Sequence, residues 1–299
     1  MKKRRNTRTM LSYHSMILIG MVWLVLFNIV PMFGIVMAFQ DYNPVSGFIG
    51  SKFTGLENFR YLFSMSDSKR VIVNTVIIAV SKLVLNIVVP LSFALLLNEV
   101  RKLKFKRIVQ TMVYLPHFLS WVILASILLE IFGYKGVFNT ILSLFGAEPR
   151  IWFSEESCFR QMIIFSDVWK EFGYNAVIFL AALTGISQDM YEAASIDGCS
   201  RWKAVWYITL PGIASTIVVV AILGLGNVLN AGFDQVFNLY SPLVYSTGDI
   251  LDTWVYRIGL LNVQFSLATA AGLFKSVISF TLIVISYVVA YKAADYKIF

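Results

Sequence analysis

Amide, carboxylate and aromatic side chains cluster late in the chain. Asn227, Asn230 and Asp234 are spaced three and four residues apart, which predicts one shared face of an α-helix. Phe233 and Gln235 lie close to the end of that face. Amides and carboxylates hydrogen-bond hydroxyl groups, and aromatic rings pack on the apolar faces of sugar rings. The cluster therefore predicts either a face that binds a sugar or amide hydrogen bonds between neighbouring helices.

Charged residues inside long apolar segments form a second group of candidates. Lys82 and Lys275 each lie within such a segment, and Asp167, Lys170 and Glu171 share one helical face. Charged groups inside a membrane are costly, so they usually face protein or water. The group fits a proton relay; the second interpretation is that its members pair between helices or line a wet cavity. We favour the second interpretation, because the opposite charges lie close enough to neutralise each other in part.

Sequence patterns of common catalytic centres do not occur in the chain. It has no Gly-x-x-x-x-Gly-Lys-Ser/Thr phosphate loop, no His-Glu-x-x-His zinc motif and no Gly-x-Ser-x-Gly nucleophile motif. Its histidines, His14 and His117, are isolated, and Cys158 and Cys199 lack the spacing of metal ligands. We therefore expect no catalytic residue, metal or cofactor in this chain, and a partner must supply the energy.

The composition is that of an integral membrane protein. Of the 299 residues, 58% are hydrophobic and 14% are charged, whereas soluble domains carry about 25% charged residues. The net charge of +8 could indicate nucleic-acid binding. The basic residues cluster beside apolar segments, however, which is typical of membrane topology signals. We expect the chain to contact a lipid bilayer and no nucleic acid.

The apolar segments predict an all-α fold with six transmembrane helices in a single domain over residues 1–299. A helix needs about 20 apolar residues to cross a bilayer. The predicted spans are residues 13–39, 70–97, 108–132, 159–186, 212–234 and 265–291. A basic tail, residues 1–12, precedes the first span. That span is longer than the apolar part of a signal peptide and lacks a clear cleavage site. We therefore expect it to stay uncleaved as the first transmembrane helix.

The distribution of lysine and arginine predicts the orientation. Of 25 such residues, fourteen lie in the two termini, the loop after the second span and the loop after the fourth span. Eight lie in the three loops on the other side of the membrane, which follow the first, third and fifth spans. Because cytoplasmic loops carry the excess of basic residues, both termini and the loop after the fourth span are predicted to be cytoplasmic.

That cytoplasmic loop is organised as two short helices around a turn. Asp189 is predicted to cap the first helix, with Glu192 three residues later in the pattern of a capping box. Asp197 and Gly198 form a strong turn pair. Ser200 is predicted to cap the second helix. A loop that only connects two spans would be shorter and would not need two capped helices. This structure therefore indicates a contact with another protein.

The loop, residues 187–211, resembles the EAA loop of permeases from binding-protein-dependent ABC importers. The shared residues are Glu192-Ala193-Ala194-x-x-Asp197-Gly198 and Leu210-Pro211. In that family the loop forms a coupling helix that docks in a cleft of the cytoplasmic ATPase. The resemblance implies docking through Glu192, Ala193, Ala194 and Gly198, with Asp197 shaping the turn. The alternative is an amphipathic connector that lies on the membrane surface.

Nearly the whole chain resembles carbohydrate-uptake permeases of the maltose and multiple-sugar kind, which have the type I ABC importer fold. A narrower similarity to permeases for polysaccharides or complex oligosaccharides rests on Asn98–Arg101, Tyr114–Phe118 and Gly272–Ser276. In maltose-type permeases the helix after the EAA loop lines the sugar site. The resemblance thus implies a substrate path along Asn227, Asn230, Phe233, Asp234 and Gln235.

The resemblance also implies partners and a location. These are a second related permease, two ATPase subunits that bind ATP and magnesium, an extracytoplasmic solute-binding protein and an oligosaccharide. The chain would be a multi-pass protein of the bacterial plasma membrane and not itself an enzyme. Two alternatives stay open: a permease for another solute such as a peptide or amino acid, and a membrane scaffold that works without an ATPase.

Overall fold

The computed structural model describes residues 7–226 and 228–294, and the chain divides into two compact units. The first unit comprises Met1–Met65 and Val255–Phe274, and the second comprises Ser66–Trp254 and Lys275–Phe299. The N-terminal six residues of the predicted basic tail lie outside the described residues. A single domain over residues 1–299 stays a prediction.

The first unit begins with a long apolar helical segment that spans the predicted residues 13–39. Its parts are α1 (Thr7–Leu24), a π-helical turn (Val25–Ile29), α2 (Val30–Met32) and a 3₁₀ segment (Phe33–Phe39). A short antiparallel pair and two helices follow: β1 (Gln40–Asp41), α3 (Gly47–Gly50), β2 (Lys52–Phe53) and α4 (Glu57–Ser64). Residues 13–39 therefore form one helical stretch, and their membrane crossing stays a prediction.

The rest of the chain is helical as well. The helices are α5 (Ser66–Asn98), α6 (Leu103–Tyr114), α7 (Trp121–Ile131), α8 (Val137–Ser143), α9 (Glu156–Thr184), α10 (Gln188–Ile196), α11 (Arg201–Ala204), α12 (Leu210–Gly212), α13 (Ala214–Gly226), α14 (Phe233–Leu239), α15 (Tyr245–Gly248), α16 (Leu251–Tyr256) and α17 (Phe265–Ala294). A π-helical turn, Val205–Thr209, joins α11 to α12.

Three single helices in the described part of the chain are long and apolar enough to cross a membrane: Tyr13–Phe39, Ser66–Asn98 and Phe265–Val288. Two bent pairs of helices would raise that number to five. The helix α9 has the length of a span, 29 residues, but its middle carries Asp167 and Lys170. All six predicted spans thus occur as helical segments, two of them broken.

The third predicted span, residues 108–132, is not one continuous helix, and that prediction is wrong. A bend of 106° separates the segment Leu103–Phe118 from α7. Pro116 has no N–H to continue an α-helix, and the chain is extended at Leu119 and Ser120. The Ser120 hydroxyl then caps α7 by accepting from the Ile123 N–H at 3.4 Å.

The fifth predicted span, residues 212–234, is also broken. A bend of 61° separates the segment Arg201–Gly212 from α13, and α13 ends at Gly226. The chain resumes as α14 only after Gly232, whose φ of 94° lies in the left-handed region that favours glycine. We name residues 228–232 the span-five break. Positions on opposite sides of it cannot share a helical face.

Two hydrophobic cores in the second unit support the span-five break and the EAA loop. The first surrounds the span-five break; it includes Ile78 of α5, Leu124 of α7, Ile163 of α9 and Val236 of α14. The second lies below the EAA loop and consists of Ala94, Ala176, Phe179, Leu183 and Ile213. The α5–α9 pair contributes to both cores, so it joins the two regions.

Candidate functional site: the EAA loop and the span-five break

The EAA loop begins with a capped helix. The Ser187 hydroxyl accepts from the Asp189 N–H at 3.3 Å, so Ser187 is the N-cap of α10. The prediction that Asp189 caps this helix is therefore wrong by two residues. Asp189 lies in the first turn, where its negative charge stabilises the positive end of the helix dipole.

The turn after α10 has the predicted geometry. Asp197 ends the helix, and Gly198 has a φ of 70°. The Cys199 N–H then donates to the Ala194 carbonyl at 2.9 Å, which closes the last turn. Ser200 accepts from the Lys203 N–H and caps α11, as predicted.

The side chains of the EAA motif are turned toward open space in this chain. Glu192, Ala193, Asp197 and Gly198 are exposed, and Ala194 is half-buried. Ile196 is 87% exposed next to them. Small side chains beside an exposed apolar one leave this tip of the loop accessible to another surface.

Side-chain contacts near both ends of the loop attach it to the rest of the protein. The Tyr191 and Thr209 hydroxyl groups lie 2.9 Å apart. This contact connects α10 to the π-helical turn Val205–Thr209. Below them, Ile186 packs against the second hydrophobic core. These contacts hold the loop in place while its tip remains exposed.

The predicted substrate-path residues take three different positions around the span-five break. Asn227 lies outside the described residues. Asn230 is exposed and accepts from Lys275 of α17 at 2.9 Å. Asp234 is exposed on α14, and Phe233 stacks on Phe237 with ring centroids 5.3 Å apart. The single helical face predicted for Asn227, Asn230 and Asp234 is wrong, because the break interrupts the helix.

Gln235, the fifth residue predicted for the path, binds other parts of the protein instead of facing open space. Its side chain is fully buried. Its Nε2 donates to the Ile163 carbonyl at 2.7 Å and to the Ser166 hydroxyl at 2.8 Å, and its Oε1 accepts from Lys82. Every polar atom of the amide thus serves a contact inside the protein.

The intramembrane charges pair between helices. Lys82 of α5 lies 3.1 Å from an Asp167 oxygen on α9, and Lys275 of α17 lies 2.6 Å from Asp252 of α16. The favoured prediction of ion pairs between helices is therefore confirmed for these two lysines. Lys170 pairs with its neighbour Glu171 at 2.8 Å.

His117 is isolated in the sequence but not in space. Its Nδ1 lies 2.7 Å from a Glu171 oxygen, and its ring stacks on Tyr174 at 3.9 Å. Its carbonyl accepts from Lys170 at 2.9 Å. These contacts hold the bend of the third span against α9. Across the described residues, no three His, Cys, Asp or Glu side chains form a group that could hold a metal ion.

An aromatic row beside the break was not predicted from the sequence. Phe233, Phe237, Tyr240 and Tyr245 follow one another with successive centroid distances of 5.3, 6.2 and 5.1 Å. The spacing of four and three residues between the first three was the available signal. The row begins three residues after Asn230 in the chain.

Residues 86–295 match the family described as the inner membrane component of binding-protein-dependent transport systems. This chain belongs to that family. The match includes the EAA loop, the span-five break and the second hydrophobic core.

Similar proteins extend the family match to nearly the whole chain. Protein LplB of Bacillus subtilis (strain 168) is 42% identical over 88% of this chain and 83% of its own length. The polygalacturonan/rhamnogalacturonan transport system permease protein YteP of the same organism is 40% identical over 96% of this chain and 89% of its own.

A solved structure shows the same fold. One chain in the crystal structure of a bacterial ABC transporter involved in the import of the acidic polysaccharide alginate is 34% identical. It aligns with a TM-score of 0.88 over 96% of this chain and 97% of its own. The all-α integral membrane fold of a type I ABC importer permease is therefore confirmed. This inner membrane component is a membrane-embedded transport subunit.

Proposed function

We propose that this chain is the permease subunit of an ATP-driven importer that moves an oligosaccharide or polysaccharide fragment into the cytoplasm. The supporting observation is similarity along nearly the whole chain to permeases of saccharide importers. YteP is named for polygalacturonan and rhamnogalacturonan. The structural relative belongs to an alginate transporter that has also been crystallised with a pentasaccharide-bound periplasmic protein.

In this proposal the EAA loop couples the chain to ATP hydrolysis. Two ATPase subunits bind ATP and magnesium, and one of them receives α10 through Glu192, Ala193, Ala194 and Gly198. A second related permease completes the pathway, and an extracytoplasmic solute-binding protein delivers the sugar. Both termini and the EAA loop face the cytoplasm of a bacterium. The exposed tip of the loop supports this arrangement, because Ile196 is open to a partner.

Transport then follows alternating access. The ATPases favour one state of the permease pair when ATP is bound and another after hydrolysis, and that difference in affinity drives the change. The packed helices move as rigid bodies. The substrate passes the span-five break, where Asn230, Phe233 and Asp234 line the path.

Reconstitution tests the substrate class. The complex is purified through a tag on this chain, its partners are identified by mass spectrometry, and the complex is placed in proteoliposomes with its solute-binding protein. We expect ATP-dependent uptake of galacturonate or alginate oligosaccharides. Uptake of a peptide or amino acid, with no saccharide uptake, would contradict the proposed substrate. Recovery of the chain with no ATPase would contradict the importer.

Substitution at the break tests the proposed path. Asn230→Ala removes one amide and leaves Lys275 with its Asp252 partner. We expect a higher KM for the oligosaccharide at a normal amount of protein. Asn58→Ala in the first unit is a control for the loss of an amide elsewhere. Unchanged KM in Asn230→Ala and in Asn227→Ala would remove these residues from the path.

A further inference from the structure

The buried ammonium of Lys82 occupies an unusual place, beside the backbone of the span-five break. Its Nζ donates to the Ala231 carbonyl at 2.7 Å and also to the Gln235 side chain. Only 8% of the Lys82 side chain is exposed. A lysine that serves only as a counter-ion needs no backbone partner. Lys82 instead joins α5 directly to the C-terminal end of the break and to the start of α14.

Asp167 fixes the direction of the Lys82 side chain. One Asp167 oxygen lies 3.1 Å from the ammonium, and the other accepts from the Asn86 amide at 2.9 Å. Asn175 of α9 donates to Asn86 at 3.4 Å. The carboxylate is thus held from both sides, and a buried charge that is held in this way strongly restrains its partner.

Gln235 completes the connection on the C-terminal side of the break. Its amide reaches the Ile163 carbonyl and the Ser166 hydroxyl on α9 while its oxygen accepts from Lys82. The start of α14 is therefore bound to α9 through Gln235 and to α5 through Lys82. The end of the break cannot move along either helix without losing these hydrogen bonds.

Gly232 makes room for the ammonium. Its φ is +94°, and a Cβ atom at this position would lie 2.9 Å from the Lys82 Nζ. A side chain here would displace the ammonium as well as strain the backbone. The absence of a Cβ is therefore part of the same arrangement.

We propose that Lys82, held by Asp167, is a positioning residue that fixes the span-five break and thereby places the transport-path side chains. Asn230 and Phe233 are one or two residues from the Ala231 carbonyl that Lys82 binds. This inference rests on the proposed function for its transport consequence. The position of the break itself can be measured without transport.

The first experiment removes both charges at once. Lys82→Met combined with Asp167→Asn leaves no unpaired buried charge, so the full complex should reach the membrane in normal amount with its ATPase bound. We expect the KM for oligosaccharide uptake to rise roughly tenfold to a hundredfold, because small displacements of positioning groups have effects of that size. The maximal rate should change much less.

Gly232→Ala tests the same arrangement without altering a charge. We expect it to raise the KM as the double variant does, because its methyl group displaces the ammonium. Gly226→Ala is the matched control in the same span. A Cβ there would lie 3.5 Å from an Ile283 carbon, which is an ordinary contact. Wild-type KM in both the double variant and Gly232→Ala would overturn the proposal.

Thiol labelling reports the position of the break independently of transport. In a complex with Cys158→Ser and Cys199→Ser, Val236→Cys places the single thiol of this chain at a fully buried site of α14, and labelling of this chain is read by mass spectrometry. N-ethylmaleimide should label it slowly. Adding Lys82→Met and Asp167→Asn should accelerate labelling roughly tenfold, as expected when a buried segment opens locally.

Leu183→Cys, a buried site of the second core, is the matched labelling control and should stay protected. Equal acceleration at both sites would show general loosening and overturn the positioning role, as would no acceleration at Val236→Cys. If the wild-type complex takes up no oligosaccharide, the proposed function fails, and the labelling result still decides the role of Lys82.

Discussion

The EAA loop and the span-five break both interrupt the apolar helices of the second unit, but they are built in opposite ways. In the loop, Ser187 and Ser200 bond to N–H groups two and three residues away. In the break, Lys82 bonds to a carbonyl 149 residues away and Gln235 to one 72 residues away. The loop is organised locally and exposed, whereas the break is organised by distant helices and buried.

This difference predicts different effects of substitution in the two regions. An exposed, locally folded element keeps its shape while its surface contacts a partner, so changes there should affect coupling more than folding. A buried element held by several helices moves only when those helices move. Changes there should therefore affect stability and the binding of the transported molecule together.

The largest effect on stability is expected from Lys82→Met alone. It leaves the Asp167 carboxylate buried without its cation, and breaking a buried ion pair in this way costs about 3–5 kcal/mol. The amount of folded protein and the unfolding midpoint in detergent should fall sharply. The double variant with Asp167→Asn should recover most of the loss.

Arg70→Met is the control for the Lys82 variant. Its ion pair with Asp67 lies at 2.7 Å, but the two side chains are 48% and 56% exposed. Such exposed pairs contribute about 0–1 kcal/mol. If Arg70→Met and Lys82→Met destabilise the protein equally, the contrast between buried and exposed regions is wrong.

Two glycines with positive φ provide a matched comparison of the regions. A Cβ at Gly198 meets nothing within 4 Å, whereas a Cβ at Gly232 meets the Lys82 ammonium at 2.9 Å. Gly198→Ala should cost about 1–2 kcal/mol from left-handed backbone strain alone. Gly232→Ala should cost about 1–3 kcal/mol more, from overpacking. Equal unfolding midpoints for the two variants would contradict the role of tertiary contacts at the break.

Substitution at the N-cap of α10 should have a smaller effect on stability. Ser187→Ala removes the side chain that caps α10 and should weaken this helix by about 0.5–2 kcal/mol. Asp189→Ala removes only a charge in the first turn, which contributes about 0.3–1 kcal/mol. Hydrogen exchange of the α10 amides measures both. Faster exchange in Asp189→Ala than in Ser187→Ala would restore Asp189 as the cap.

The smallest effect on stability, with a large effect on coupling, is expected from Ala193→Trp. Exposed substitutions usually change stability by less than about 0.5 kcal/mol. The bulky ring should nevertheless prevent docking, so the ATPase should no longer copurify with the chain. Ala147→Trp, an exposed alanine of another loop, should retain the ATPase. Normal copurification in Ala193→Trp would contradict docking through this face.

The local features of this protein could be predicted from its sequence. The apolar segments, the turn at Asp197 and Gly198 and the cap at Ser200 each depend on residues within a few positions of one another. Hydropathy and turn preference describe such short-range chemistry directly. The same approach placed the first cap at Asp189 instead of Ser187, because both residue types cap helices well and only the backbone geometry distinguishes them.

The breaks in the third and fifth spans were decided by tertiary structure. Pro116 and Gly232 permit a break but do not require one, since membrane helices tolerate both residue types when neighbours satisfy the freed backbone groups. At the fifth span Lys82 satisfies the Ala231 carbonyl, and Gln235 binds the Ile163 carbonyl of α9. These contacts join residues far apart in the chain. Hydropathy and helical periodicity describe only neighbouring residues, so they cannot predict such contacts.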